Sequence, residues 1–478
     1  MGCCNMTVKW ALKHEKFGNR PWAVQAEALK RSENKNRYGY FLQQGLGKTA
    51  LTLNDFATFP GADINVVLAP STFVGDWPLA PAEWGLGDYT VGKWGDKNCD
   101  PFKWGRGVFA IAHETLRGSL TARNYLLNLL KQRNCMLTFD EATGIKNPTS
   151  LLAKFIVGEV CKYPKRTRLL DGTPIVQNVL DYYAKLRALG ELNGVNMYAF
   201  RNRFAIMGGY MGKQVKGIRN EDELVEILDR CSFRALKKDW RKDMPPQVEQ
   251  PIHIEMTNNQ RRHYREMMED FYTEVEGKEI TANLVLTQYG KLQQISSCMV
   301  MQEGTTHWLE PPSKNPKLQA IFDLFDGGSD KAIVSHIFKP SGEMLFEEFK
   351  KRGLNPARIS GGMKSEDIVQ EKKKFNDDTN CRVLIGQQDV TSRGHTLIGQ
   401  KGRDRCFRIF YYENSLSLMH RLQMNDRNHR GEQDETCYLY DLICNPMDQI
   451  YVDILTGKRK QADGMDAMVL ELRKKGPR

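Results

Sequence analysis

GYFLQQGLGKTALTLNDF, residues Gly39–Phe56, changes character twice within one short stretch. Tyr38 to Leu42 form an apolar run that reads as a strand, and Ala50 to Phe56 carry a helical pattern. Between them stands Gly45-Leu46-Gly47-Lys48-Thr49. Glycines allow backbone N–H groups to converge on phosphate oxygens, Lys48 adds a compact positive charge, and the Thr49 hydroxyl can ligate Mg²⁺. The strict G-x-x-x-x-G-K-[ST] pattern asks for glycine where Leu42 stands. The match therefore rests on the core of the pattern and its strand–turn–helix setting. The competing reading is a chance Gly-rich turn.

Downstream, RNCMLTFDEATGIKNPTS (Arg133–Ser150) repeats the logic with acids. Met136–Phe139 read as a buried strand, and Asp140 and Glu141 fall at its carboxyl end, where sites gather in open α/β sheets. Asp140 can hold Mg²⁺, and Glu141 can orient or deprotonate an attacking water. An acidic helix start favoured by the dipole would explain the charge. It would not explain the apolar strand before it, nor Lys48 upstream.

Further out, two series of apolar runs alternate with helical patterns. Val66–Leu68, Val108–Ile111, Met136–Phe139 and Arg168–Leu170 make the first. Ala332–Val334, Arg382–Ile385, Phe407–Tyr411 and Cys437–Leu442 make the second. Each predicts a parallel sheet flanked by helices, and the second series has no phosphate loop. Near the chain's end, QMNDRNHRGEQ (Gln423–Gln433) clusters charge. A solvated helix face is the plain reading of such a cluster. The alternative is an arginine finger, since a departing γ-phosphate needs positive charge on its far side. Arg427 and Arg430, three apart, are predicted to share a helix face and to meet the ligand of Lys48 across a cleft.

The chain has 478 residues, 41% hydrophobic and 10% aromatic, enough for two or three domains with real cores. Lys and Arg total 69 against 58 Asp and Glu, and the net charge of +11 favours a polyanion such as nucleic acid. Eleven cysteines form no C-x-x-C pair, and the histidines form no metal set, so reduced thiols in a cytosolic protein are expected. The opening MGCCNM places Met6 where a myristoylation signal prefers Ser or Thr, so no lipid anchor is expected. No run of about 18 apolar residues suggests a membrane span. No charged-then-apolar signal segment opens the chain.

Together these stretches resemble the Swi/Snf-like branch of superfamily 2 helicases and translocases, particularly compact phage and bacterial members. RPWAVQAEAL (Arg20–Leu29) is similar to the adenine-reading segment and points to Gln25, whose amide can pair bidentately with adenine. VVLAPSTFVGDW (Val66–Trp77) resembles motif Ia and FAIAHETLR (Phe109–Arg117) motif Ib. DEATGIKNPTS (Asp140–Ser150) resembles DEAH-x-IKN-x-x-S with Thr143 for His, and LLDGTPIVQNVLDYYAKL (Leu169–Leu186) motif III with Asp171 for a hydroxyl residue. VLIGQQDVTSRGHTL (Val383–Leu397) resembles motif V with Thr391-Ser392 for Gly-Gly. QMNDRNHRGEQ is similar to Q-x-x-D-R-x-H-R-I-G-Q, and SFRALKKDWRKDMPP (Ser232–Pro246) to the bridging segment.

The resemblance implies an α/β fold of two RecA-like parallel-sheet lobes in tandem, joined by a mainly helical linker and insert. The expected boundaries are 1–195 for the ATP-binding lobe, 196–310 for the linker, 311–460 for the second lobe and 461–478 for a basic tail. Lys48, Asp140, Glu141, Arg427 and Arg430 are implied as catalytic. Gln25, Gly45, Leu46, Gly47, Lys48, Thr49, Gly394 and Gln423 are implied to bind ATP, with Mg²⁺ on Thr49 and Asp140. Nucleic-acid contacts are implied for Ser71, Thr72, His113, Thr115, Ser335, Gly361, Gly362 and Thr391. The insert RNRFAIMGGYMGKQVKGIR (Arg201–Arg219) has five basic residues, no acidic ones and two aromatics, which suits phosphate contact through Lys213 and Lys216 and base stacking through Phe204 and Tyr210. A solvated hairpin turning at Gly208-Gly209 is its plain reading.

The expectation is an active cytoplasmic ATPase (host-cytoplasmic if the source is viral), its oligomeric state open with a monomer favoured, acting on double-stranded, forked or junction DNA in repair, recombination or fork remodelling such as branch migration. The alternatives are an RNA helicase and a nucleotide-gated DNA-binding scaffold.

Overall fold

The computed structural model describes residues 8–15, 18–172, 179–208, 214–275, 282–325, 330–392, 396–400, 402–430 and 433–457. The chain forms two compact units, the first ending at Lys242 and the second starting at Asp243.

The first unit is built on a seven-stranded sheet. Its strands are β1 (Arg37–Leu42), β2 (Ile64–Ala69), β3 (Thr90–Lys93), β4 (Gly107–Ala112), β5 (Cys135–Phe139), β6 (Arg166–Asp171) and β9 (Ser232–Ala235). A separate antiparallel hairpin consists of β7 (Ala205–Gly208) and β8 (Gln214–Ile218). The sheet order is β3-β4-β2-β5-β6-β1-β9 and every pairing is parallel. Parallel strands need helical crossovers, so both faces are covered and the central strands β2, β5 and β6 are buried throughout. In β2, Ile64, Val66 and Leu68 enter one core while Val67 and Ala69 enter the other. The helix Lys48–Thr58 is tied to β6 by charge: Asp55 accepts from Arg166 and from Arg168, both at 2.5 Å, in buried surroundings.

The second unit repeats the plan with β10 (Gln247–His253), β13 (Lys331–His336), β14 (Ala357–Ile359), β15 (Val383–Gln387), β16 (Cys406–Tyr411) and β17 (Cys437–Ile443). Their order is β10-β17-β16-β13-β15-β14, again wholly parallel. The hairpin β11 (Met299–Gln302) and β12 (Thr305–Trp308) stands apart from this sheet. Where a strand-to-helix turn could bind an external anion, this unit supplies its own. Buried Glu413 accepts from Ile337 N at 2.7 Å and Phe338 N at 2.9 Å, at the start of the helix Lys339–Lys351.

The two parallel-sheet α/β lobes are as expected, and each of the eight apolar runs maps to a strand. Helices predominate in the expected linker stretch, which also holds strands. Within 196–310, β9 completes the first sheet beside β1 and β10 forms an edge of the second. That stretch also carries two hairpins, so strands and helices are mixed in it. A four-residue strand and a largely exposed edge strand, QVEQPIH, lack the continuous apolar run by which buried parallel strands announce themselves. Residues 461–478 lie outside the described residues.

Candidate nucleotide site

Four neighbouring strands, β2, β5, β6 and β1, run parallel, so the loops after them emerge at one edge of the first sheet. The loop after β1 ends in the helix Lys48–Thr58, with Gly45 at φ 84° and Gly47 at φ 75°. Both are left-handed torsions that glycine adopts without a steric penalty. Gly47 is also crowded: a Cβ there would lie 2.3 Å from Gln25 Nε2. The Lys48 ammonium donates to Leu42 O at 2.9 Å. Leu42, the last residue of β1, is buried in extended backbone, so the glycine missing from the strict pattern has no conformational job there. Helix-start N–H groups and Lys48 together make a cradle for anionic oxygen.

Asp140 follows β5. Its backbone N–H donates to Leu68 O at 2.8 Å, which locks it to the end of β2. Its carboxylate accepts from Trp77 Nε1 at 2.9 Å and from Glu141 N at 3.0 Å. Burial pushes the Asp140 carboxyl upward, Lys48's charge and these hydrogen bonds pull it down, and Asp171 pushes it up again. Lys48, Asp140 and Asp171 thus share one electrostatic neighbourhood. Glu141 sits at φ 57°, a strained torsion for a side chain larger than Asn.

Asp171 ends β6 and stands in register with Phe41 of β1. It forms an ion pair with Lys185 of the helix Tyr182–Ala188, and both side chains are buried. The departure from a hydroxyl in motif III is therefore matched by a cation. Gly172 comes next, where a Cβ would lie 2.7 Å from Gln44 Cγ, so this loop packs directly on the phosphate-loop turn.

The cradle, its lysine and a strand-end carboxylate with acceptor capacity left over are a donor set that fits a nucleotide triphosphate with Mg²⁺. Thr49 is exposed at the helix start. Among the described residues no group of three or more His, Cys, Asp or Glu could hold a metal by itself, so a Mg²⁺ held by Asp140 and Thr49 would take its other ligands from phosphate oxygens and water. Gln25 lies against the phosphate loop. Its Oε1 accepts from Trp22 N at 2.8 Å and its Nε2 donates to Gly47 O at 3.1 Å, so the amide already joins its helix to the phosphate loop.

In the second unit, the helix Leu418–Asn425 stops before both arginines, so they do not share a helix face. The turn that follows sets them instead. Arg427 Nε donates to Gln423 O at 2.7 Å and Arg430 Nε to Asp426 O at 3.1 Å, each reaching back four residues. Arg430 also donates to Thr396 Oγ1 at 2.9 Å. Arg427 and Gln423 are buried and Arg430 is half-buried. Gly394 lies outside the described residues.

The positions expected to meet nucleic acid divide by exposure. Ser71, Gly362 and Lys216 are exposed, and Thr72, Thr115 and Gly361 are half-buried. His113, Ser335 and Thr391 are buried, so their side chains offer no surface contact in this structure. His113 stacks on Phe139 with ring centres 4.5 Å apart, and burial pushes its imidazole down to about 4. The Ser335, Thr391 and Ser392 hydroxyls are buried without a hydrogen-bond partner among the described residues. Tyr210 and Lys213 lie outside the described residues.

Sequence reasoning missed Trp77, Gln44 and Lys185. A buried Asp in place of a hydroxyl demands a cation, and that demand was the available signal for Lys185.

A phosphate cradle at the edge of a parallel α/β sheet, with an acidic strand end beside it, defines a nucleotide-binding fold of the RecA-like class. A profile of the SNF2-related domain matches residues 29–308, and the chain belongs to that family. It is 22% identical over 457 residues to a DNA repair and recombination protein RAD54-like of Drosophila ananassae, covering 84% of this chain and 56% of that one. It is 23% identical over 329 residues to Protein CHROMATIN REMODELING 4 of Arabidopsis thaliana, covering 64% of this chain and 14% of that one. The chain thus spans about half the length of the RAD54-like relative. Among solved structures, the Sulfolobus solfataricus SWI2/SNF2 ATPase core in complex with dsDNA aligns with 95% of this chain and 96% of its own, at TM-score 0.41 and 17% identity. Among the described residues no helix is long and apolar enough to cross a membrane.

Proposed function

We propose that this chain is an ATP-dependent motor on double-stranded or branched DNA, of the kind used in repair, recombination or fork remodelling. The observation that carries the reading is the meeting of Lys48 and buried Asp140 in one field at a glycine-built helix start. Lys48 and the loop N–H groups bind the phosphates, and Gln25 holds the loop in shape. Asp140 and Thr49 would hold Mg²⁺, which when bound offsets charge on the phosphate oxygens. Glu141 orients water and takes its proton. Arg427 and Arg430 of the second unit serve as the arginines that favour the charged transition state. Ser71, Thr72, Thr115, Lys216, Gly361 and Gly362 track the DNA backbone, which needs no reading of base sequence.

ATP hydrolysis with duplex DNA, single-stranded DNA and RNA is the direct test. Duplex DNA is expected to stimulate the wild type, and Lys48→Ala and Glu141→Gln to lower the stimulated rate by at least ~10²-fold. Glu141→Gln should still bind nucleotide. Hydrolysis indifferent to every nucleic acid would reject the motor reading, and stimulation by RNA alone would select an RNA helicase. Displacement assays on duplex, fork and four-way junction then decide the preferred DNA.

A further inference from the structure

The loop after β2 touches the candidate metal-holding carboxylate directly. Trp77 is only 3% exposed, and its indole N–H reaches Asp140 Oδ2 while Glu141 N holds Oδ1. With both oxygens engaged, the carboxylate has one favoured rotation about its last bond, and its remaining lone pairs take fixed directions.

The same loop begins at Pro70 with Ser71 and Thr72, two of the positions expected on the DNA. It is tightly wound. Phe73 N and Val74 N both donate to Pro70 O, at 3.2 and 3.0 Å. Asp76 N donates to Phe73 O at 3.1 Å, and Leu79 N and Ala80 N to Asp76 O. Ser71 N is held by Glu114 Oε2 at 2.9 Å, and the Thr72 hydroxyl has no hydrogen-bond partner among the described residues. So few residues, so densely bonded, leave little slack between Ser71 and Trp77.

We infer that Trp77 is a positioning residue that aims the Asp140 carboxylate and transmits strand contact at Ser71 and Thr72 to the nucleotide site. The inference rests on the motor reading above. Contact at the loop's start shifts a stiff element, and the indole carries that shift to the carboxylate. The indole itself touches neither nucleotide nor DNA.

Trp77→Phe keeps an aromatic ring and removes the N–H. In the full chain, binding of a fluorescent ADP analogue is titrated with Mg²⁺ and with EDTA, beside ATP hydrolysis with and without duplex DNA. The variant is expected to bind the analogue normally in EDTA. Its Mg²⁺-dependent gain in affinity should fall about tenfold, the scale of one hydrogen bond to a charged acceptor, and its DNA stimulation should fall with it. In an Asp140→Asn background the same substitution should change Mg²⁺ dependence no further, whereas a purely structural tryptophan would act alike in both backgrounds. If Trp77→Phe does not fold, benzothienylalanine at the position removes the donor with shape preserved. A wild type that responds to both Mg²⁺ and DNA, with a variant that responds equally, overturns the inference alone. A wild type that responds to neither overturns the motor reading, and this inference with it.

Discussion

Asp171 and Lys185 show how one substitution obliges another. Each is buried, and each is the other's counter-charge. Lys185→Met takes the ion-pair cation from a buried carboxylate and is expected to destabilise the first unit by ~3–5 kcal/mol. Asp171→Thr with Lys185→Met removes both charges and should return stability close to wild type. Urea unfolding of the two singles and the double measures the coupling, and a double as weak as the sum of the singles would contradict it. Two histidines add a pH signature. Burial is the main cause that holds His113 and His336 down to about 4, against about 6.5 for the unfolded side chain. As pH falls below about 6.5 the unfolded chain gains these protons first, so each histidine erodes stability by ~1.4 kcal/mol per pH unit until about pH 4. Above pH 6.5 neither contributes a slope. His336→Gln should flatten the acid limb of the second unit's urea midpoint between pH 6 and 5. At this scale the sequence makes the charged and glycine-rich side chains easy to find, but not their neighbours. Asp171 stands out as an oddity, while Lys185 looks like any helix lysine until the fold brings the two together. Gln25 is chemically suited to a purine, yet its amide is committed to Trp22 and Gly47, and no linear pattern reports that.

Buried parallel strands were legible because both of their faces meet apolar cores, which leaves unbroken runs such as VVLA and GVFAIA. β9 and β10 were not legible, the first for brevity and the second for polarity. The end of the helix Leu418–Asn425 was also hidden: the arginine spacing suits a helix, while the chain actually turns and uses each guanidinium to satisfy a carbonyl four residues back. The β7–β8 hairpin is an element whose role can be tested alone. It is seated by half-buried Met207, Val215 and Ile218 against the core, and it presents Lys216 and Arg219 at the surface. Lys216→Ala with Arg219→Ala should weaken duplex binding at all sequences alike. The slope of log affinity against log salt should shrink by about 0.9 for each DNA phosphate that is no longer neutralised. Fluorescence anisotropy across a salt series reads this, and an unchanged slope would leave the hairpin solvated and idle. Nucleotide affinity serves as the control and should not move.

The chain as a whole carries separate cores. Two apolar clusters belong to the first unit, and three others, built on residues from Ile252 onward, belong to the second. Calorimetry should therefore show unfolding that a single two-state transition does not fit. Mg²⁺-ADP at a hundred times its dissociation constant should raise the stability of the first unit by about 2.7 kcal/mol. Lys48→Ala should cancel that shift. A single transition that moves as one would argue for obligate joint folding. The order of strands has a further result during synthesis. β1, which leads into the phosphate loop, lies between β6 and β9, and β9 is by far the last of the three to be translated. Until Ser232–Ala235 leave the ribosome, the nascent sheet has a bare, apolar, hydrogen-bonding edge at its most sensitive strand. Such an edge is a template for pairing with another polypeptide. Fragments that stop short of Ser232 are thus the ones a cell would find as aggregates or in the hands of chaperones.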